Sequence, residues 1–268
     1  MSEGGYEIAN CKTMRFLRLL KRSGVREGLG KVIKPDTFNR GLRMSVARAV
    51  LWDMDGTLID SEEFHWISWR NTMASEGIPI TREQFLSSFG QRNDSILSRW
   101  LGAAATPERI ARIADAKEEL YRHLVRRDGI CPLPGVANWL HRIYQEGWLQ
   151  AIASAAPRAN IKVVLEALSA THLFQGIVSA EDVHRGKPDP EVYLTAAARV
   201  GASPDRCIVV EDAVAGVEGA RRAGMRSIGV SHNGKHLPAD IVVTSLDLLK
   251  PDAFDTLLHD GHDALKNG

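Results

Sequence analysis

The sequence predicts an α/β fold, in which a parallel β-sheet carries helices on both faces and a small all-helical domain is inserted after the first strand. From Ala49 onward, short apolar runs alternate with stretches of helical periodicity, which is the pattern of parallel strands joined by crossover helices. Residues 61–131 break this alternation, because they show successive helical patterns and no apolar run typical of a buried strand. Together, these two observations predict a sheet domain with a helical insertion.

Each predicted element follows from its local pattern. The strands are short apolar runs bounded by polar or turn residues, at Ala49–Trp52, Leu149–Ala153, 176–179, 207–210, Arg226–Val230 and 239–243. The helices of the sheet domain have apolar residues at three- and four-residue spacing, at 136–146, 161–168, 190–200, 213–223 and 251–258. The insertion is predicted to hold four helices, at 62–76, 82–89, 94–101 and 107–127.

These elements divide the chain into four parts. We expect a basic N-terminal extension at 1–45, a sheet domain made of 46–60 and 132–250, a helical cap domain at 61–131, and a C-terminal helix and tail at 251–268. The two connections between sheet domain and insertion are expected to be hinges. Since ligands of open parallel sheets lie beyond the carboxyl ends of the strands, residues that carry chemistry are expected there.

Composition excludes several classes of protein. The hydrophobic share is 44% and the charged share 25%, values ordinary for a globular enzyme. No apolar run approaches the roughly 20 residues that span a bilayer, so no membrane span is expected. The three cysteines are odd in number and form no CxxC pair, which argues against a disulfide framework or a zinc site and predicts a cytoplasmic location.

The net charge of +1 is unevenly distributed. Residues 1–48 contain eleven Lys and Arg against four Asp and Glu, which leaves the rest of the chain at about −6. Residues 14–22 have the pattern of a short amphipathic helix, and a basic arm of this kind can bind nucleic acid or acidic lipid. Because the remainder shows no basic bias, we expect a weakly docked extension and no nucleic-acid partner.

Residues that bear chemistry follow the predicted strands. Asp53 and Asp55 lie two residues apart on the turn that leaves the first strand, where both can face one site and Gly56 allows close approach of a ligand. This string is not an EF-hand loop, because glycine is fourth rather than sixth and Phe64 occupies the twelfth position.

Three further elements lie at the same predicted edge of the sheet. Ser154 ends the second strand and is either a phosphate ligand or a helix cap. Lys187, held between a glycine and a proline before a helix, has limited backbone freedom, so its ammonium can be aimed; the alternative is a solvated lysine. Glu211 and Asp212 end a buried strand, where a charged pair is costly unless it binds a cation or caps a helix. Together with Asp53 and Asp55 they would form an all-oxygen site suited to Mg²⁺.

The order DMDGT, Ser154, GKPDP and VVEDAVAGVEGARRAGM resembles the four motifs of the haloacid dehalogenase superfamily over residues 46–230. The resemblance implies a Rossmann-like sheet core. The helical insertion resembles the small cap domain of the β-phosphoglucomutase-like and sugar phosphatase branch. A small phosphorylated metabolite is the substrate that this branch implies.

The resemblance also implies roles for individual residues. Asp53 would attack phosphorus and become an aspartyl phosphate, and Asp55 would protonate the leaving oxygen and then deprotonate the incoming water. Mg²⁺ would be held by Asp53, the backbone carbonyl of Asp55, and Asp212, with Glu211 contributing directly or through water.

The phosphate ligands implied by the resemblance come from two other motifs. Ser154, with Ala155 beside it, and Lys187 would bind phosphoryl oxygens and stabilise the charge of the transition state.

Two branches of the superfamily fit poorly. Its true dehalogenases lack the second aspartate of the first motif and need no metal, whereas Asp55, Glu211 and Asp212 are all present here. Its phosphonate-cleaving members use a cap lysine, and residues 61–131 contain only Lys117, deep in a periodic helix. A catalytically idle binding protein is a further alternative, but it would be expected to lack Asp53 or Asp55.

The remaining choice is between a phosphatase and a sugar-phosphate mutase. His65, after Glu63 and before Trp69, and Arg92, in a polar cap loop, resemble mutase residues that assist proton transfer and grip a second phosphate. For His65 the alternative is packing near Trp66 and Trp69 within the cap, and the other cap arginines are expected to be solvated.

The segment after Ala155 argues for the phosphatase. The mutase has polar and lysine side chains there that hold the distal phosphate, whereas Ala156 and Pro157 offer no donor side chain and Arg158 is the possible replacement. Weak distal binding would release a bisphosphate intermediate to water, so we predict a hydrolase, with the mutase as alternative.

Overall fold

The computed structural model describes residues 47–232, 234 and 236–264. Its central feature is a six-stranded sheet whose neighbouring strands are all parallel, in the order β3-β2-β1-β4-β5-β6. The strands are β1 (Ala49–Trp52), β2 (Leu149–Ala153), β3 (Gly176–Val178), β4 (Cys207–Glu211), β5 (Arg226–Val230) and β6 (Ile241–Val243). The predicted parallel sheet is therefore confirmed.

Helices cover both faces of this sheet. The described residues form nine α-helices: α1 (Glu62–Ser75), α2 (Arg82–Leu86), α3 (Asn93–Leu101), α4 (Pro107–Asp128), α5 (Val136–Gln145), α6 (Arg158–Ala167), α7 (Glu191–Val200), α8 (Val214–Arg222) and α9 (Ala253–Ala264). Alternate residues of β1 face opposite sides, because a strand has a two-residue period. Val50 and Trp52 join one apolar cluster with α5, α6 and α9, and Ala49 and Leu51 join another with α7 and α8.

The insertion after β1 is entirely helical, as predicted. Helices α1 to α4 enclose their own apolar cluster, which includes Trp69, Met73, Phe85 and Leu97. Toward its carboxyl end, α4 leaves this cluster, and its residues Tyr121 and Val125 pack in the core of the sheet domain instead. The cap formed by α1–α4 is thus docked on the sheet domain through α4.

The two connections of the cap lie side by side. Ile59, on the way into the cap, forms an isolated antiparallel bridge with Pro132, on the way out. Leu133 donates a backbone hydrogen bond of 2.9 Å to the carbonyl of Leu58. Neighbouring connections are what a hinged domain needs, but the exact domain limits and the hinge motion stay predictions.

The register of the sheet assembles the predicted edge. Trp52 at the end of β1 is level with Ile152 of β2 and Val210 of β4. The ladder continues for one further bond, since the backbone N–H of Asp53 donates to the carbonyl of Val210 at 3.0 Å. The residues that follow these three strands therefore leave the sheet together.

Three further sequence-based expectations concern a membrane span, Cys207 and the N-terminal extension. Within the described part of the chain, no helix is long and apolar enough to cross a membrane. Cys207 is a buried free thiol whose pKa is raised to about 12, chiefly by burial, as expected for a core residue. The proposed helix at 14–22 and the basic extension lie outside the described residues.

Candidate active site

The site begins at the turn that follows β1. The N–H groups of Gly56 and Leu58 bond to the carbonyls of Ile59 and Met54, at 2.8 and 2.9 Å. Gly56 has a φ of +84°, and an added Cβ would lie 2.2 Å from the Asp212 carboxylate. The turn therefore requires glycine both for its left-handed backbone and for the close approach of Asp212.

Lys187 connects the nucleophile candidate with the end of β4. Its Nζ lies 2.5 Å from Asp53 Oδ1 and 2.6 Å from Glu211 Oε1, and its side chain is 12% exposed. Burial alone would lower the pKa of Lys187, but the two carboxylates outweigh burial and raise it well above its ordinary value. The lysine is thus a permanent cation aimed into the site, and the alternative of a solvated surface lysine is wrong.

Three carboxylates form a compact acidic cluster at the same edge. Asp53, Glu211 and Asp212 each offer an oxygen within 4.8 Å of the others. Burial raises the pKa of Asp212 to about 7, with the neighbouring Glu211 adding to the effect. Burial also raises the pKa of Asp53 well above its usual range, against the opposing charge of Lys187. Carboxylate oxygens are hard ligands, and here they bring several negative charges close together. The cluster therefore fits a divalent cation.

Glu211 is held rigidly within this cluster. Its Oε2 accepts hydrogen bonds from the backbone N–H groups of Asp212 and Ala213, at 2.7 and 2.8 Å. Gly216 makes room for the side chain, since a Cβ there would lie 1.8 Å from Glu211 Oε1. On the neighbouring turn, the Thr57 hydroxyl donates to Asp212 Oδ1 at 3.2 Å. Backbone and side-chain donors therefore fix the orientation of both acidic residues at the end of β4.

Ser154 lies at the end of β2, facing the same space. Its Oγ accepts from the N–H of Ala156 at 3.1 Å, and Pro157, not Ser154, is the cap residue of α6. The alternative that Ser154 serves as a helix cap is therefore wrong. Its hydroxyl and the loop that follows line the cavity instead.

A cavity of about 560 Å³ lies between the sheet edge and the cap. Each predicted site residue contributes to its wall, namely Asp53, Asp55, His65, Arg92, Ser154, Ala155, Lys187, Glu211 and Asp212. The cap adds Trp69, Phe89, Asn93, Lys117 and Glu118. The structure thus brings together side chains that are up to 159 residues apart in sequence, from Asp53 to Asp212.

Asp55 turns away from the acidic cluster and toward the cap. Its Oδ1 accepts from the Ser61 hydroxyl at 2.5 Å and lies 3.3 Å from His65 Nε2. Burial raises the pKa of Asp55, but the contacts with His65 and Ser61 outweigh burial and lower it below the ordinary value. Ser61 precedes α1 without capping it, because its side chain is used by Asp55.

Lys117 completes this arrangement from the cap, and sequence reasoning missed it. Its side chain is 2% exposed, and its Nζ lies 2.9 Å from His65 Nδ1 and 2.7 Å from Glu118 Oε1. Since an ammonium group only donates, Nδ1 accepts, and the ring proton is assigned to Nε2, which faces Asp55. The available signal was the spacing of Ile113, Lys117 and Tyr121, which places the lysine on the buried face of α4.

His65 also packs against aromatic rings, but not in the way the sequence suggested. The ring of Tyr121 stacks on it at 4.3 Å, and Phe89 meets it edge-on at 5.8 Å. The expected alternative was packing near Trp66 and Trp69. The stacked tyrosine fixes the plane of the imidazole, so that its two nitrogens are aimed at Lys117 and Asp55.

Three arginine side chains make contacts that the sequence did not predict. Arg92 lines the cavity, but its guanidinium donates to the carbonyl of Ala180 at 3.2 Å. Arg158 is not part of the cavity wall, because its guanidinium pairs with Asp182. Arg122 was expected to be solvated and is not, since it bonds to Asn160 of the sheet domain at 3.0 Å.

The architecture is a parallel α/β sheet domain covered by a helical cap, with an acidic cluster and a lysine at the carboxyl edge of the sheet. The chain belongs to the haloacid dehalogenase-like hydrolase family, whose model matches residues 50–230.

Three relatives illustrate the similarity. The chain is 31% identical to the β-phosphoglucomutase of Bacillus subtilis (strain 168) over 73% of its own length and 88% of that protein. It is 32% identical to hexitol phosphatase B of Escherichia coli (strain K12), over 74% of this chain and 92% of the relative. Among solved structures, the β-phosphoglucomutase of Clostridium difficile superposes with a TM-score of 0.71 at 27% identity, covering 80% of this chain and 98% of that one.

Proposed function

We propose that the protein is a magnesium-dependent phosphatase that hydrolyses a small phosphate monoester, namely a sugar phosphate, through an aspartyl phosphate on Asp53. One observation favours hydrolysis over isomerisation. The cavity wall after Ser154 is built from Ala155, Ala156 and Pro157, and Arg158 is held outside by Asp182. That wall supplies no side-chain donor for a second phosphate. A mutase must hold this phosphate while its bisphosphate intermediate reorients in the site.

Asp53 is the proposed nucleophile. It projects from the end of the central strand into the cavity, where Lys187 contacts one carboxylate oxygen at 2.5 Å. Asp53, Glu211, Asp212 and the carbonyl of Asp55 are the groups that would hold Mg²⁺. The ion, when bound, supplies positive charge that offsets repulsion between the attacking carboxylate and the phosphate.

Asp55 is the proposed general acid and base. It would donate a proton to the leaving oxygen in the first step and accept a proton from the attacking water in the second. Hydrogen bonds from Ser61 and His65 both end on Oδ1, so Oδ2 is available for the substrate oxygen or water. Lys117 holds the His65 ring in the required tautomer from the opposite side.

Ser154, Ala155 and Lys187 are the proposed phosphate ligands. All three residues line the cavity, and they offer a hydroxyl, a backbone N–H and an ammonium as donors to a phosphate. Such preorganised donors stabilise the charge that spreads over the phosphoryl oxygens in the transition state.

The β-phosphoglucomutase activity remains the second candidate, and a specific observation favours it. His65 and Arg92, the two residues predicted on mutase grounds, both line the cavity. The relatives do not decide between the candidates, because the mutase of Bacillus subtilis and hexitol phosphatase B are equally similar to the chain. We propose a cytoplasmic location, because small phosphorylated metabolites are made and retained inside cells.

The test is phosphate release from a panel of sugar phosphates and other small monoesters, with Mg²⁺ and with a chelator. Asp53→Asn is the inactive variant, and Asp115→Asn, on the exposed face of α4, is the matched control. Release that needs Mg²⁺ and disappears in Asp53→Asn alone supports the phosphatase. Conversion of β-glucose 1-phosphate to glucose 6-phosphate with little free phosphate would establish the mutase instead.

A further inference from the structure

One of the contacts between the sheet domain and the cap is made by an asparagine behind the cavity. Asn160, in the first turn of α6, is 0% exposed. Its Nδ2 donates to Glu118 Oε2 at 2.5 Å, and its Oδ1 accepts from Arg122 at 3.0 Å. Both ends of the amide are thus engaged by α4 of the cap.

These contacts continue directly into the catalytic pair. The other oxygen of Glu118 accepts from Lys117 at 2.7 Å, and Lys117 lies 2.9 Å from His65. His65 in turn faces Asp55 at 3.3 Å. Asn93, at the start of α3, also donates to Glu118, at 2.7 Å. A continuous path of hydrogen bonds therefore runs from the sheet domain, through the cap, to Asp55.

We propose that Asn160 is a positioning residue that couples docking of the cap to the orientation of Asp55, through Glu118, Lys117 and His65. The inference rests on the proposed function, because it assigns Asp55 to proton transfer. Asn160 does not line the cavity and does not touch the substrate, so it acts through the cap. When the cap separates from the sheet domain, Glu118 loses its Asn160 partner. Lys117 and His65 are then no longer held in a fixed orientation.

An amide suits this position for a chemical reason. Asparagine offers a donor for the Glu118 carboxylate and an acceptor for the Arg122 guanidinium at the same time. An aspartate would place a second negative charge against Glu118, and an aliphatic side chain would leave both buried partners unsatisfied.

The kinetic test compares Asn160→Ala with Asn138→Ala, a matched control at an exposed asparagine on α5. We expect kcat of Asn160→Ala for the best sugar phosphate to fall about tenfold, the effect of losing one charged hydrogen bond, with KM changing less than about threefold. Asn138→Ala should behave as wild type. A change confined to KM, or no change, would overturn the proposal.

A double-mutant cycle separates positioning from a general loss of structure. Because Asn160 is proposed to act through His65, the double variant Asn160→Ala, His65→Ala should be no slower than His65→Ala alone. Multiplicative losses in kcat would show that Asn160 acts independently of the path. Circular dichroism and thermal melts verify that each variant is folded.

A spectroscopic measurement keeps the inference testable if no substrate is turned over. The ring nitrogens of His65, labelled with ¹⁵N and assigned with His65→Gln, report which nitrogen carries the proton and whether it is hydrogen-bonded. Asn160→Ala should alter these signals, and Asn138→Ala should not. Absence of turnover in the wild type would refute the proposed phosphatase, whereas an unchanged His65 signal in Asn160→Ala would refute the coupling.

Discussion

Removal of the Asp212 charge should stabilise the metal-free protein at neutral and alkaline pH. Asp212 lies beside Asp53 and Glu211, and burial with this neighbouring charge raises its pKa from 3.8 to about 7. Between these two values the folded protein binds a proton that the unfolded chain does not. Stability therefore falls as pH rises through this window, and the Asp212→Asn variant lacks that penalty.

The size of this stability difference follows from the pKa shift of Asp212. About three pKa units correspond to at most about 4 kcal/mol of unfolding free energy at pH above 7. For a chain of this size, each kcal/mol moves the melting temperature by roughly 2–4 °C, so the difference should be on the order of 10 °C.

The assay is thermal unfolding of the wild type and Asp212→Asn in a chelator from about pH 4 to about pH 8. The two curves should coincide at the acid end and separate with rising pH, with the variant the more stable. Adding Mg²⁺ should raise the melting temperature of the wild type and leave that of the variant unchanged. A variant less stable than wild type in chelator near pH 8 would refute the account of the acidic cluster.

Three other substitutions test separate parts of the site. Lys117→Met leaves Glu118 and His65 without their cation, so kcat for phosphate release should fall at least about 100-fold, the scale of general acid–base catalysis, while a surface variant such as Arg126→Ala stays active. Gly56→Ala forces a Cβ against Asp212 and should abolish Mg²⁺-dependent thermal stabilisation while the protein still folds. Arg158→Ala should leave kcat/KM for a sugar monophosphate within about twofold, because the guanidinium pairs with Asp182; a larger loss would place Arg158 at the substrate.

The sheet and its edge were predictable because they depend on local patterns. A buried parallel strand is a short apolar run, and the residue that follows it must leave at the carboxyl edge. Asp53, Ser154 and Glu211 each follow or end such a run, so parallel register alone brings them together. No knowledge of the cap was needed for this part of the site.

The cap side of the site could not be predicted in the same way. Lys117 contacts His65 across 52 residues, and helical periodicity states only that its face is buried, not what lies opposite. The arginines show the same restriction. Arg122 and Arg126 are one turn apart on α4, yet Arg122 reaches Asn160 while Arg126 stays at the surface, because only one of them faces the sheet domain. Such contacts depend on how α4 docks.

The sheet side and the cap side of the site also surround Asp53 and Asp55 differently. Asp53 and Asp55 are two residues apart, but their pKa values move in opposite directions. Asp53 faces the acidic cluster of the sheet domain, where burial and the charges of Glu211 and Asp212 raise its pKa against the opposing charge of Lys187. Asp55 faces donors of the cap and its hinge, namely Ser61 and His65, and these contacts lower its pKa. On the proposed mechanism, the sheet domain therefore sets the environment of the nucleophile, and the docked cap sets that of the proton donor and acceptor.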